Sequence, residues 1–285
     1  MRPKITVSAL LAEGVGRLRG AADRASADLE AQLLLAHVLK VPRTRLKSHP
    51  ESGVQAQARR RYRALMARRA RGVPIAYLTG RKEFWSLALG VTPAVLIPRP
   101  ETELLVERAL ALRTPAAARI ADLGTGSGAV ALALASERPA WQVLATDRSA
   151  RALEVARANA RALKLTGVRF RRGDWFRALK GARFDLLVSN PPYVDRRDPL
   201  LKAGELAHEP RRALSPAGDA FSSLDLLVRG APRHLGRGGW LLLEHGAEQG
   251  AQVRQALVLA GFRHVRSHRD LGGHERVTEG QHGHL

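Results

Sequence analysis

RIADLGTGSGAVALALASERPAWQVLATD, residues 119–147, is the stretch on which the fold turns. An apolar run, Arg119–Leu123, ends on a glycine turn in which Gly124, Gly126 and Gly128 alternate with Thr125 and Ser127. An alanine- and leucine-rich segment of helical length follows over Ala129–Glu137, and a second apolar run, Gln142–Asp147, closes on an acid. Strand, turn, helix and strand in that order make a βαβ unit with parallel strands. The pattern continues downstream. Strands are predicted over Val168–Gly173, Asp185–Ser189 and Trp240–Glu244, with helices near Ala150–Lys164, Ser223–His234 and Ala247–Ala260. Two extended pieces, Val265–Arg269 and Glu275–Thr278, joined across Gly272–Gly273, would add an antiparallel edge. The fold class is therefore α/β, a parallel sheet sandwiched by helices.

Upstream the periodicity is helical. Ser26 is placed to cap a helix with Asp28 and Glu30 in its first turn and Leu29, Leu33 and Ala36 on one face; Pro42 suits the stop after Val41. A further helix is expected from Val54 to Arg71, with Leu65 and Met66 as apolar contacts and an arginine run that is either a solvated face or a docking surface. From Gly72 onward, β-branched and aromatic residues between Gly and Pro suggest a hairpin turning near Thr79–Gly80. Pro98 and Pro100 then stiffen the chain ahead of a helix burying Leu104, Leu105, Ala109 and Leu112. The expected domains are 1–72, helical; 73–100, a linker with a β-hairpin; and 101–285, the α/β domain.

Composition excludes several chemistries. There is no cysteine, which removes disulfides, thiol nucleophiles and cysteine-ligated metals. The ten histidines form no HExxH, and several (His268, His274, His282, His284) gather near the tail, so no metal site is expected. No apolar run approaches the ~18 residues of a membrane span, and Glu13 breaks the stretch in which a leader would need an apolar core. A cytoplasmic protein is expected. Lys and Arg number 47 against 26 Asp and Glu, a net +21. That field favours polyanionic neighbours such as the ribosome, and leaves direct nucleic-acid binding open. It equally fits arginine spread over a solvated surface. With aromatics at 5%, no stacking platform for single strands is evident.

The glycine turn lets the backbone approach a ligand with no Cβ in the way, and the helix beyond offers free N–H groups. Asp147 ends the next strand, where doubly wound sheets present an acid to both ribose hydroxyls of an adenosine. Glycines after strands also make plain tight turns; loop and acid together point to an adenosine cofactor. Dinucleotide folds space their glycines G-x-G-x-x-G, whereas here the spacing is G-x-G-x-G behind Asp122. DxGxGxG resembles the first motif of S-adenosylmethionine-dependent methyltransferases. That resemblance implies Gly124, Thr125, Gly126, Ser127, Gly128 and Asp147 around the cofactor. It also puts Asp174 and Trp175, at the third strand's end, near the adenine; taken alone, Trp175 is an ordinary core aromatic.

The fourth strand runs into Asn190-Pro191-Pro192-Tyr193. Two prolines cannot extend a central strand, so the chain must leave the sheet at its carboxyl end, where such sheets bind ligands. A planar amide or aromatic amine is a poor nucleophile because its lone pair is delocalised. The Asn190 side-chain oxygen and the Pro191 carbonyl can both accept from one –NH2 group, hold it in line with a methyl donor and favour a developing positive charge. Tyr193 can cover the planar group. The bland alternative is a rigid turn with an incidental asparagine.

PIAYLTGRKEFW, LIPRPETE, LGTGSGAVALALASERP, VSNPPYVD, LLLEHG and ERVT together closely resemble the bacterial release factor glutamine methyltransferases (the PrmC/HemK family) over nearly the whole chain. The resemblance implies a Rossmann-like seven-stranded methyltransferase sheet behind a small helical domain. It also implies methylation of the glutamine amide in the Gly-Gly-Gln loop of class I peptide chain release factors. On that expectation S-adenosylmethionine lies against Gly124–Gly128, Asp147, Trp175 and Asn190, while Asn190, Pro191, Pro192 and Tyr193 hold the amide. The N-terminal helices would grip the release factor, and Arg99 and Glu101 are expected near the crevice. The tail after Thr278 matches no familiar pattern. The rival reading is an adenine-specific DNA or RNA methyltransferase, since the same tetrapeptide suits an exocyclic amine; that chemistry needs base extrusion and usually extra reading segments. Methylation of another protein's glutamine, or a basic module with a degenerate cofactor domain, are lesser readings.

Overall fold

The computed structural model describes residues 4–18 and 24–283. The chain divides into two compact units, one running to Gly80 and including Lys202–His208, the other comprising Arg81–Leu201 and the chain from Glu209. The division falls inside the 73–100 stretch read as a linker.

The first unit holds α1 (Val7–Leu18), α2 (Arg24–Leu39), α3 (Arg43–Ser48), α4 (Ala56–Arg69) and α5 (Ile75–Thr79). Its core includes Leu10, Leu34, Leu35, Tyr62 and Met66. Gly14 lets α1 and α2 approach closely: a Cβ there would lie 3.1 Å from that of Ala31 and would collide with the Tyr62 hydroxyl. Two expectations fail on α2. Ser26 lies inside the helix, not at its cap, and of the expected face only Ala36 is buried, with Leu29 40% exposed and Leu33 half-buried; the rest of the buried stripe is Ala27, Ala31, Leu34 and Leu35. Both stripes have helical spacing; the small residues win because they admit the neighbouring helix. The arginine run on α4 is divided in purpose. Arg63 pairs with Glu13 at 2.8 Å, and Arg69 with Glu30 at 2.6 Å and Glu205 at 3.0 Å, while Arg60, Arg61 and Arg68 are exposed.

The second unit opens with a hairpin, β1 (Arg81–Phe84) and β2 (Leu87–Gly90), paired antiparallel. Its turn is Trp85–Ser86, both left-handed at φ +51° and +59°, not Thr79–Gly80, where Gly80 instead ends α5. A two-residue hairpin loop of type I′ needs positive φ at both residues, usually supplied by Gly or Asn. Here tertiary bonds impose them. The Trp85 backbone N–H donates to Glu103 and its indole N–H to Glu137, both at 2.8 Å.

Beyond α6 (Glu103–Ala111), whose Leu105, Val106 and Ala109 are buried, a seven-stranded sheet forms. Its strands are β3 (Arg119–Leu123), β4 (Gln142–Asp147), β5 (Arg169–Arg172), β6 (Phe184–Ser189), β7 (Leu235–Glu244), β8 (Phe262–Arg269) and β9 (Glu275–His282). The order is β5-β4-β3-β6-β7-β9-β8, parallel from β5 to β7 and antiparallel at β9 and β8. The helices α7 (Ala129–Glu137), α8 (Ala150–Ala162), α9 (Arg211–Leu214), α10 (Ser222–Gly230) and α11 (Gly250–Leu259) complete the unit. Successive strand residues feed opposite layers: Leu186, Val188 and Leu242 pack into one, Leu187, Leu241 and Leu243 into the other. Among the described residues, no helix is long and apolar enough to cross a membrane.

The sheet extends past its sequence boundaries at the carboxyl end. β7 begins at Leu235 rather than Trp240, passing through glycines that carry no hydrophobic pattern. The tail after Thr278 is the second half of β9, pairing with β7 through Trp240↔Gln281 and with β8. Its polarity hid it: Glu279 is buried against His268 and Arg108. His284 and Leu285 lie outside the described residues.

One buried side chain ties hairpin to glycine turn. Asn159 on α8 accepts from the Gly90 N–H at 2.7 Å and donates to the Gly90 and Ser127 carbonyls at 3.0 and 2.8 Å. Asn159→Ala strands all three backbone groups. It is expected to lower unfolding free energy by about 2–4 kcal/mol in urea titration.

Candidate active site

The chain moves outward from β3 through β4 to β5, then crosses to β6 on the other side of β3. This is a topological switch point, where open α/β sheets bind ligands beyond the strand ends. Two loops meet the requirement. Asp122 is paired with Val188, so Gly124 and Asn190 each lie two residues past that pair on neighbouring strands. The Ser189 hydroxyl donates to the Leu123 carbonyl at 2.6 Å and locks the two ends together.

The glycine turn is held from below and beside. Gly124 and Thr125 donate to the Thr146 carbonyl at 2.9 and 2.8 Å. Asp147 accepts from the Gly126 N–H at 3.0 Å through one oxygen and from the Ser149 N–H at 2.8 Å through the other. Each oxygen keeps a further lone pair for a ligand. Burial pushes the Asp147 carboxyl up, while those two backbone bonds pull it down. Gly124, Gly126 and Gly128 are left-handed at φ +80°, +55° and +87°. At Gly124 a Cβ would stand 3.5 Å from the Trp175 ring, so the indole lies against the open glycine. Trp175 is itself left-handed at φ +44°, a strained conformation that the surroundings must hold in place. Thr125 and Ser127 are buried, and Thr125 serves the turn itself by donating to Asp122 at 2.6 Å.

Across the switch point, Asn190 donates through Nδ2 to the Thr102 hydroxyl at 3.1 Å. The Tyr193 hydroxyl donates to Glu244 Oε1 at 3.1 Å. Pro191 is buried and Pro192 half-buried between them. Burial and the adjoining carboxylate drive the Tyr193 hydroxyl far above its ordinary range, so it stays protonated. Arg99 is committed to Glu209, whose other oxygen accepts from the Ile97 N–H at 3.0 Å. Glu101 is exposed and acts on Tyr193 and Glu244 through its charge. The structure thus brings the glycine turn, Asp147 and Trp175 together, and ties Asn190 and Tyr193 to a buried pair the sequence left unread, Thr102 and Glu244. A signal was present: Glu244 ends an apolar strand on an acid, as Asp147 does. Among the described residues no His, Asp and Glu cluster is arranged to hold a metal ion.

Asp122 has the clearest pH signature. Burial lifts its carboxyl from 3.8 to about 7, against the pull of the Thr125 hydrogen bond. Between those values the folded chain keeps a proton the unfolded chain releases, so stability falls as pH rises through the window. Asp122→Asn cannot ionise. Its unfolding free energy relative to the parent is expected to improve by up to about 4 kcal/mol from acid to mildly alkaline pH, measured by urea titration at both ends.

Comparison with known proteins agrees with this architecture. Residues 9–80 match the PrmC N-terminal domain, and residues 100–226 the methyltransferase small domain. The chain is 52% identical over 254 residues to the release factor glutamine methyltransferase of Xylella fastidiosa (strain Temecula1), covering 89% of this chain and 92% of that protein. It is 50% identical over 259 residues to the protein of that name from Pseudomonas aeruginosa, covering 91% and 94%. Among solved structures, a methyltransferase from Pyrococcus furiosus superposes with a TM-score of 0.54 at 20% identity, over 76% of this chain and 98% of that one, a likeness of fold. With half its residues shared along nearly its full length, the chain belongs to the release factor glutamine methyltransferase family.

Proposed function

We propose that this methyltransferase transfers a methyl group from S-adenosylmethionine to the side-chain amide nitrogen of the glutamine in the Gly-Gly-Gln loop of class I peptide chain release factors. One observation carries the reading: the Asn190–Tyr193 turn leaves β6 directly beside the glycine turn that ends β3. The residues present suit the cofactor. Gly124 offers bare backbone beside an indole, and Asp147 has carboxylate lone pairs to spare. Gly124, Thr125, Gly126, Ser127, Gly128, Asp147, Trp175 and Asn190 would hold it. Bound there, S-adenosylmethionine supplies a methyl group activated by a sulfonium.

The chain's own part is to orient the acceptor. With Nδ2 engaged by Thr102, Asn190 keeps Oδ1 as a free acceptor, and the Pro191 carbonyl is a second. Together they align the substrate –NH2 and favour its developing positive charge. Tyr193, anchored through its hydroxyl, presents its ring as a wall against water. No side-chain base is required, because the methylated nitrogen sheds its proton after transfer.

The N-terminal helical unit is assigned to docking the release factor outside its loop. The substrate implies a cytoplasmic site of action, and the +21 charge favours a setting close to the ribosome.

The test is transfer of labelled methyl from S-adenosylmethionine to a purified class I release factor, beside its loop Gln→Ala variant and unmethylated duplex DNA. Label on the parent factor alone is expected; label on DNA alone would overturn the substrate and leave an adenine methyltransferase. In the enzyme, Asn190→Ala is expected to lower transfer at least about 100-fold while changing the cofactor dissociation constant by less than about threefold. Near-parental turnover would remove Asn190 from its role.

A further inference from the structure

Gln249, the residue that precedes α11, makes three side-chain hydrogen bonds, all of them to backbone groups. Its Oε1 accepts from the Gly246 N–H at 2.8 Å. Its Nε2 donates to the Ala220 carbonyl at 3.2 Å and to the Tyr193 carbonyl at 3.4 Å. Gln249 and Gly246 are joined a second time, because the Gln249 N–H donates to the Gly246 carbonyl at 2.9 Å. Side chain and backbone thus close a small ring on Gly246, where an added Cβ would stand 3.1 Å from Oε1.

This amide has one workable orientation. A backbone N–H only donates and a backbone carbonyl only accepts. Reversed, the amide would set its –NH2 against the Gly246 N–H and its oxygen against two carbonyls, so all three bonds would be lost together. Gln249 therefore offers Tyr193 a donor at a place fixed by the Gly246 turn. The next amide is held too, since the Val194 N–H donates to the Leu214 carbonyl at 3.0 Å. The peptide group between Tyr193 and Val194 is held by its oxygen and by its nitrogen.

The prolines decide what that hold controls. Proline locks φ, so Pro191 and Pro192 leave the turn only their ψ torsions. Upstream, the turn starts at a strand end fixed by the Ser189 hydroxyl on the Leu123 carbonyl. With that end fixed and two torsions locked, the direction of the Pro191 carbonyl depends on where the downstream end is pinned. Thr102 and Glu244 engage the side chains of Asn190 and Tyr193. Gln249 engages the backbone.

We propose that Gln249 is a positioning residue for methyl transfer. By donating to the Tyr193 carbonyl it fixes the exit of the Asn190–Tyr193 turn, and with it the aim of the Pro191 carbonyl at the substrate nitrogen. This rests on the acceptor role given to Pro191 above. The bond to Ala220 anchors the far end of the segment 194–219 to the same –NH2 group, so that the connection from the turn toward α10 is closed at its base.

Two variants of similar volume separate the donor from the space it fills. Gln249→Glu keeps an acceptor for Gly246 but turns a carboxylate oxygen toward both carbonyls, and Gln249→Met loses all three bonds. Both are expected to lower kcat for methylation of a purified class I release factor at least about tenfold. KM for the factor and the dissociation constant of S-adenosylmethionine should change less than about threefold. A side chain that only fills space or closes the Gly246 ring would leave Gln249→Glu at parental kcat, which would overturn the proposal, as would a loss carried by KM. A second readout needs no substrate. In 15N-labelled protein the Val194 amide proton should exchange at least about tenfold faster in both variants than in the parent. The amide of Leu242, central in β7, should stay within about threefold and so report an intact sheet. A lower kcat with unchanged Val194 exchange would place the effect at Ala220 and overturn the role given to Tyr193. If the parent fails to methylate the release factor, the functional reading falls on its own, and the exchange measurement still decides whether Gln249 holds the end of the turn.

Discussion

The parallel pairing of β3 with β6 is the constraint on which the site depends. It is the point where the chain reverses its direction of growth across the sheet, so two loops that are about 65 residues apart in sequence end side by side. The Ser189 hydroxyl on the Leu123 carbonyl makes the join rigid at the last residue before both loops open. A one-residue slip would turn every side chain of β6 to the other face and carry Asn190 away from the glycine turn. Leu186 and Val188 in one hydrophobic layer and Leu187 in the other prevent such a slip, because it would exchange their packing partners.

Around that join, buried acids at strand ends do the holding. Asp122 keeps Thr125 in the turn, Asp147 grips Gly126 from β4, and Glu244 anchors Tyr193 from β7. All three carboxyls are pushed upward by burial, so the desolvation that destabilises their charged forms is offset only in part by their hydrogen bonds. That is a cost in stability carried for geometry. The apolar layers on both faces of the sheet, and Asn159 beneath the hairpin, supply the compensating order. The left-handed Trp175 belongs to the same group of strained positions kept in place by a well-packed frame.

Much of this was legible in the chain. β3, α7 and β4 fall on their expected residues because each is a strongly patterned run bounded by glycine or an acid. The glycine turn and the tetrapeptide are read from chemistry that depends on local sequence alone. The boundaries that moved share a different cause. The hairpin turn shifted from Thr79–Gly80 to Trp85–Ser86 because Glu103 and Glu137 hold the tryptophan in a conformation no local preference favours. The buried stripe of α2 moved to its alanines because a neighbouring helix with Gly14 needed room. The polar tail became a strand because Glu279 found His268 and Arg108.

The sequence by itself determined the parallel α/β class, the glycine turn with its acid at the next strand's end, and a rigid proline turn after the fourth strand. These follow from hydrophobic period, from glycine's freedom and from proline's missing N–H, all properties of residues close together in the chain. Only the tertiary structure decided which way the Asn190 amide points and what holds Tyr193. Asn190 is held by Thr102, 88 positions away in the numbering, and Tyr193 by Glu244, 51 positions away; each pair meets only when β6, β7 and the segment before α6 are assembled. A hydrogen bond's direction is set by the protons its neighbours can spare, and those neighbours are chosen by the fold.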